Sequence, residues 1–236
     1  LISHLLSHSA GLPGFDSPIT EDQLFDWDYT CNRLASQATW WDPGSVSGYH
    51  PMTQGWLLGE VVRRVDGRTL GNFFREEVAE KIGADFHIGL SEKHFDRVAL
   101  LDTSPVDGPV VLTDETPHHF VERVEQHGRL VAKIANSDRW RKSEFPAANG
   151  HGNARSVAFI HNLIACNGAS DEFELLSPDT VKRIFEIQTD DTDLILGVPI
   201  RHGMGFGLRS DLMPISPNEN ECFWGGWGGS LAVIDV

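Results

Sequence analysis

Basic residues are scarce in this sequence: 19 Lys and Arg stand against 34 Asp and Glu, a formal net charge of −15. Such a surface repels phosphate backbones and anionic lipid, which argues against nucleic acid or a membrane as partner. No apolar stretch approaches the ~20 residues that a helix needs to span a bilayer. Cysteine is rarer still, with only Cys31, Cys166 and Cys222, an odd and widely spaced set without C-x-x-C. Free thiols in a reducing, cytoplasmic setting fit that pattern better than a disulfide framework, and the lack of any N-x-[S/T] acceptor points the same way. There is no initiating Met, signal peptide or transit peptide. The sequence opens at Leu1 inside an amphipathic pattern and stops at Val236 inside a strand-like run, so both ends are expected to be cuts. Internal repeats and low-complexity tracts are absent, and so is H-E-x-x-H. His4 and His8 are spaced i, i+4 and His118 adjoins His119, but no acidic third ligand stands at a convincing spacing. No metal or other cofactor is expected, and His4 and His8 are expected to hydrogen-bond the turn at Ser9-Ala10-Gly11.

What is present fits one sizeable domain over residues 1–236, with 40% hydrophobic residues to fill its core. Ile2-Ser3-His4-Leu5-Leu6 has the pattern of a helix end. Thr20-x-x-Gln23 is a capping box for a helix expected to run to about Ser36. After the turn Trp41-Asp42-Pro43-Gly44, the residues Leu57, Leu58, Val61, Val62 and Val65 recur at helical spacing until Asp66-Gly67. Thr69 caps a further helix with Phe73, Phe74 and Val78 on its inner face, ending at Gly83. Loops and short extended pieces are expected over 84–120, and helices over 121–135, over Ala154 to Cys166, and after Ser177-Pro178. Gly205 to Arg209, Cys222 to Gly225 and Ser230 to Val236 are short apolar runs divided by glycines, the pattern of neighbouring antiparallel strands. The fold class is α+β: a helical region flanking an antiparallel sheet.

Several residues invite chemistry. Tyr49 follows the turn Gly44-Ser45-Val46-Ser47-Gly48 and precedes a long helix, so its phenol either meets a bound substrate or packs under the turn. It can accept a proton only if nearby cations lower its pKa. Trp224-Gly225-Gly226-Trp227-Gly228-Gly229-Ser230 enters a strand, where glycines let a ligand lie against the edge and backbone N–H groups serve an oxyanion, or else form a bulged hairpin. Gly150-His151-Gly152-Asn153 is a substrate-facing loop or a helix cap, and Trp40-Trp41 line a pocket or fill the core. Gly228-Gly229-Ser230-Leu231-Ala232 misses the last glycine of G-x-S-x-G and has no helix after it, so it is not a nucleophile elbow.

Taken in order, the motifs resemble one family: class C β-lactamases, penicillin-binding D-Ala carboxypeptidases and family VIII carboxylesterases. They are Ser3-His4-Leu5-Leu6-Ser7-His8-Ser9-Ala10-Gly11-Leu12-Pro13, Pro43-Gly44, Tyr49, Gly55-Trp56-Leu57-Leu58-Gly59, Val65 to Leu70, Pro146 to Gly152, Leu176-Ser177-Pro178 and Gly203-Met204-Gly205-Phe206-Gly207. The resemblance implies a β-lactamase/transpeptidase-like fold and a serine hydrolase in which the Ser of S-x-x-K attacks a carbonyl and an acyl-enzyme forms. It makes Tyr49 the proton-transfer residue, Trp224, Gly225, Gly226 and His151 substrate-binding residues, and the Trp227 N–H an oxyanion donor. None of the five lysines has Ser three residues before it. The resemblance therefore places S-x-x-K upstream of Leu1, and the 236 residues alone are expected to be inactive. Pro51 stands where penicillin-recognising members carry an Asn amide, and Trp224 where they carry a carboxylate-reading Lys. Both changes favour a small neutral ester over a β-lactam or peptide. A β-lactamase or D-Ala peptidase, and a non-catalytic binding or scaffold relative, are the alternatives.

Overall fold

Side chains that satisfy the free N–H groups of a first turn set most helix boundaries in this chain. The computed structural model describes residues 1–102, 118–128, 132–170, 173–226 and 229–236. Helix α1 (Ile2–Leu6) ends well before Gly11. Thr20 opens α2 (Glu21–Leu24) with the expected reciprocal pair, its hydroxyl accepting from the Gln23 N–H while Gln23 Oε1 accepts from the Thr20 N–H. The single helix expected to reach Ser36 is two helices. Asp26 turns its carboxylate onto the Tyr29 N–H at 3.0 Å and starts α3 (Trp27–Ser36), so an acid that resembles an exposed helical residue is an N-cap.

Helix α4 (Thr53–Asp66) stops where expected, with Gly67 at φ 91° taking the left-handed position that follows a helix. Its Trp56 is almost fully buried between Phe15 and Phe145, with ring centroids at 6.3 and 5.3 Å. Thr69 caps α5 (Leu70–Phe74), which continues as one π-helical turn over Arg75–Ala79 that buries Val78. Strand β1 (Phe86–Ile88) and a 3-10 turn over Glu92–Arg97 are the ordered pieces of the expected irregular stretch before residue 103. The helix expected over 121–135 is corrected: α6 spans His118–Gln126, Gly128 adopts φ 131°, and Ala132–Asn136 forms a 3-10 turn. A positive φ cannot continue a right-handed helix.

Helix α7 (Asp138–Lys142) leads to β2 (Gly150–Gly152), which pairs antiparallel with β1. Asn153 caps α8 (Ala154–Ala165), and the two-residue strands β3 (Ala169–Ser170) and β4 (Phe173–Glu174) follow. Ser177 and Pro178 start α9 (Pro178–Ile184) as the sequence implies. The chain then forms a five-stranded antiparallel sheet in sequential order: β5 (Thr189–Thr192), β6 (Pro199–His202), β7 (Gly207–Leu208), β8 (Glu221–Gly225) and β9 (Leu231–Asp235).

Register sorts the sheet's faces. Leu208, Cys222 and Ile234 lie side by side across β7, β8 and β9, and they pack with Val181 and Ile184 of α9. A second core, centred on Trp56 with Phe15, Leu24, Leu34, Trp140 and Phe145, belongs to the helical block. Cys31 and Cys222 sit in these two cores, where burial first of all pushes each thiol up to about 12 and keeps it unreactive.

Candidate active site

Five rings meet where the helical block joins the sheet: His8, Tyr49, His50, His202 and Trp224. His8 is the hub. Its ring centroid lies 5.0 Å from Tyr49, 5.6 Å from His50, 5.5 Å from His202 and 5.2 Å from Trp224, against which it stacks. Tyr49 and Trp224 are in turn 5.4 Å apart, and His202 and Trp224 5.7 Å. The structure thus brings together Tyr49 and Trp224, two residues 175 positions apart that the sequence nominated separately.

The backbone around the hub is tightly prescribed. His8 sits outside α1 at φ 56°, so it does not share a helical face with His4, correcting the i, i+4 reading. The left-handed region costs a non-glycine residue about 1–2 kcal/mol, and hydrogen bonds hold it there. The His8 carbonyl accepts from the Gly48 N–H at 3.0 Å, and His8 Nδ1 accepts from the His50 N–H at 3.1 Å. A Cβ on Gly48 would lie 2.5 Å from the Trp41 ring, so the bare turn gives that indole room to pack against it. Trp41 itself donates to the Ser9 carbonyl at 3.3 Å and supports His50 edge-on, while Trp40 stacks on Phe120 away from the ring cluster.

These bonds also assign protons. Since His8 Nδ1 accepts, its proton is on Nε2. His50 Nε2 accepts from the Leu12 N–H at 3.1 Å, so Nδ1 donates to the Gly48 carbonyl at 2.6 Å. Both imidazoles are neutral: burial holds His8 well below its ordinary value, and burial draws His50 down to about 3 against the pull of the Gly48 carbonyl. His202 is lowered too, by burial, with the Asp193 carboxylate opposing.

Tyr49 is held from three sides. Asp193 Oδ1 accepts from its backbone N–H at 2.9 Å, and His8 and Trp224 flank its ring. Burial raises the phenol's pKa, the adjoining Trp224 indole lowers it, and the Asp193 charge raises it again. Within these residues the phenol is therefore a proton holder. Turning it into a base requires a cation brought close to it.

Gly225 ends β8 opposite Leu231, and Gly226 donates to the Ser230 carbonyl at 2.7 Å, so both glycines lie at the exposed mouth of the β8–β9 hairpin. Trp227, proposed from sequence as an oxyanion donor, lies outside the described residues. His151 sits on β2 opposite His87, half-buried, and among the described residues no hydrogen bond or ring contact joins it to Tyr49 or Trp224. His8, His50, Asp193 and His202 are the residues that sequence reasoning missed. For His8 a signal existed, since it lies within the Leu-Leu-Ser-His-Ser motif; for Asp193 and His202 none did. No group of three or more His, Cys, Asp or Glu among the described residues is arranged to hold a metal ion.

The Beta-lactamase family model matches residues 1–236. Esterase/beta-lactamase LipL of Mycobacterium tuberculosis is 30% identical over 191 residues, which cover 76% of this chain and 43% of that protein. A penicillin-binding protein homologue from Caulobacter crescentus is 35% identical with a TM-score of 0.84, over 99% of this chain and 62% of its own. A family VIII carboxylesterase is 34% identical with a TM-score of 0.86, over 99% of this chain and 61% of its own. The chain thus spans less than half of LipL and about three fifths of the two solved structures. The helical block and sequential antiparallel sheet are the β-lactamase/transpeptidase-like arrangement that the motifs imply.

Proposed function

Because the chain belongs to the β-lactamase family of serine hydrolases, we propose that the whole protein is a carboxylesterase that cleaves small neutral esters through an acyl-enzyme. The observation that carries this reading is the Tyr49–Trp224 pair: a half-buried phenol whose ring lies 5.4 Å from that of an uncharged indole. A lysine at position 224 would offer a substrate carboxylate a charged hydrogen bond, whereas an indole offers an apolar wall and one N–H. The neutral His8 and His50 beside it add no positive charge.

In the proposed reaction, a serine supplied by S-x-x-K outside residues 1–236 attacks the ester carbonyl. The lysine of that motif is the cation that offsets the raised pKa of Tyr49, and Tyr49 takes the serine proton and passes it to the leaving alcohol. Backbone N–H groups of the serine and of Trp227 hold the oxyanion, with Gly225 and Gly226 keeping the strand edge open for the acyl chain. Residues 1–236 then form a single domain with that missing segment, which works on a small molecule in a reducing, cytoplasmic setting, and are inactive without it.

The test is to assay the complete protein on p-nitrophenyl butyrate beside a chromogenic cephalosporin. Ester turnover is expected to dominate. Preferred cephalosporin hydrolysis makes the protein a β-lactamase, and absence of both activities makes it a binding relative. Trp224→Lys sharpens the result. Charge-assisted hydrogen bonds contribute about 1.5–3 kcal/mol, so the variant is expected to shift the ratio of carboxylate-bearing to neutral substrate turnover by about tenfold or more. An unchanged ratio means that residue 224 does not read the substrate.

A further inference from the structure

Asp193 is fully buried, yet only half of its carboxylate is engaged. Oδ1 accepts from three backbone N–H groups, those of Tyr49 at 2.9 Å, Ile195 at 3.0 Å and Leu196 at 2.9 Å. Oδ2 is buried without a hydrogen-bond partner. Two of the three donors close the β5–β6 turn on itself, and the third belongs to the other half of the molecule. A second bond runs alongside, from the Leu194 N–H to the Ser47 carbonyl at 3.0 Å. The β5–β6 turn therefore grips the Tyr49 segment at two points.

We propose, resting on the reading of Tyr49 as the proton-transfer residue, that Asp193 is the positioning residue of this site: it fixes where the phenol sits by clamping its main chain to the β5–β6 turn, and it sets the charge felt by the phenol and by His202. One oxygen that accepts from three N–H groups holds them more firmly as a carboxylate than as an amide, so the charge serves the clamp as well. Burying an ionised oxygen without a partner is costly, and such groups concentrate where the charge has a use. His202 shows where the field reaches. It belongs to β6, its Nδ1 lies 3.4 Å from Thr189 Oγ1, its Nε2 is likewise buried without a partner, and its ring touches His8 and Trp224. The groups that face Tyr49 are His8 from the segment after α1, Trp224 from β8 and Asp193 from the β5–β6 turn, with His50 and His202 completing the cluster. The imidazoles of His8 and His50 are neutral, and Trp224 carries no charge. Among the described residues Asp193 is thus the charge that acts on the phenol, in the direction that keeps it protonated.

The test is a double-mutant cycle in the complete protein with wild type, Asp193→Asn, Tyr49→Phe and the double variant, each assayed on p-nitrophenyl butyrate across pH. Asp193→Asn keeps an acceptor oxygen and removes the charge. It is expected to lower kcat by about tenfold to a hundredfold, the scale of a misplaced reacting group, with little change in KM. It is also expected to move the acid limb of the kcat profile to lower pH, because removing a neighbouring negative charge lets the phenol ionise earlier. In the Tyr49→Phe background the same substitution should cost less than about twofold, since its effect acts through the phenol. Additive losses, or an unchanged kcat and acid limb, overturn the role of Asp193 while leaving a crippled Tyr49→Phe in place. An active Tyr49→Phe removes the proton-transfer assignment and this proposal with it. If Asp193→Asn does not fold, Asp193→Glu keeps the charge and displaces the carboxylate by one methylene. Its kcat loss should again vanish in the Tyr49→Phe background, and an additive loss there overturns the proposal equally.

Discussion

Tyr49→Phe in the complete protein is expected to lower kcat by about 10²–10⁴-fold, equivalent to ~3–5 kcal/mol of barrier, with KM and melting temperature nearly unchanged. The split follows from how the residue is held. Its position depends on a backbone N–H bound to Asp193 and on ring contacts with His8 and Trp224, none of which the phenylalanine loses. What disappears is the hydroxyl alone, a change expected to cost no more than about 1 kcal/mol of stability. A proton-transfer group acts as the proton moves and adds little to ground-state binding, so the loss belongs in kcat. Tyr29→Phe is the control: Tyr29 lies on α3 with its side chain partly exposed, and its hydroxyl has no role in the site. Near-normal kcat for Tyr49→Phe in a normally folded protein would falsify the assignment.

Trp56→Ala is expected to carry the largest stability loss, about 3–5 kcal/mol, read from the urea midpoint of the complete protein. Trp56 is 1% exposed, projects from α4 into the helical core and meets Phe15 and Phe145 edge-on. Neighbouring Gly55 already abuts the backbone at Ala147, so the helix cannot slide inward to fill the cavity. Val65→Ala on the same helix, at a side chain 82% exposed, should change stability by less than about 0.5 kcal/mol. Equal effects of the two substitutions would mean that α4 is not anchored through Trp56.

Where local chemistry decides structure, the sequence was legible. Thr20, Thr69, Asn153 and Ser177 begin helices, Gly67 and Gly168 take positive φ after them, and the glycine-divided apolar runs became β7, β8 and β9. Asp26 was not legible, because nothing local distinguishes an acid on an exposed helix face from one that turns back to cap the next helix. Gly128 is not legible for a similar reason, one glycine being tolerable in a helix until its φ is known. At the site, Tyr49 and Trp224 were nominated from their loops and family motifs, and they do meet. Asp193 and His202 had no periodicity, cap or motif to mark them. Their significance arises only from contacts across the molecule, such as the Tyr49–Asp193 bond between residues 144 positions apart. His151 shows a different limit: its flanking glycines suggest a loop, whereas the residue lies on a strand paired with β1.

The ties that assemble the site have a consequence for how the molecule folds and fails. Tyr49 to Asp193, Leu194 to Ser47 and Gly205 to Leu6 each connect the early helical segments with the late sheet strands. Closing loops of that length is entropically unfavourable until other contacts compensate, so such bonds form after the local helices and hairpins have done so. Each block has its own apolar core, so each is expected to keep much of its packing when the seam between them opens. The ring cluster has no such independence, because its members come from both sides of the seam. Under mild stress the seam is therefore expected to part first, with the ring cluster lost while helix and sheet signals still look native.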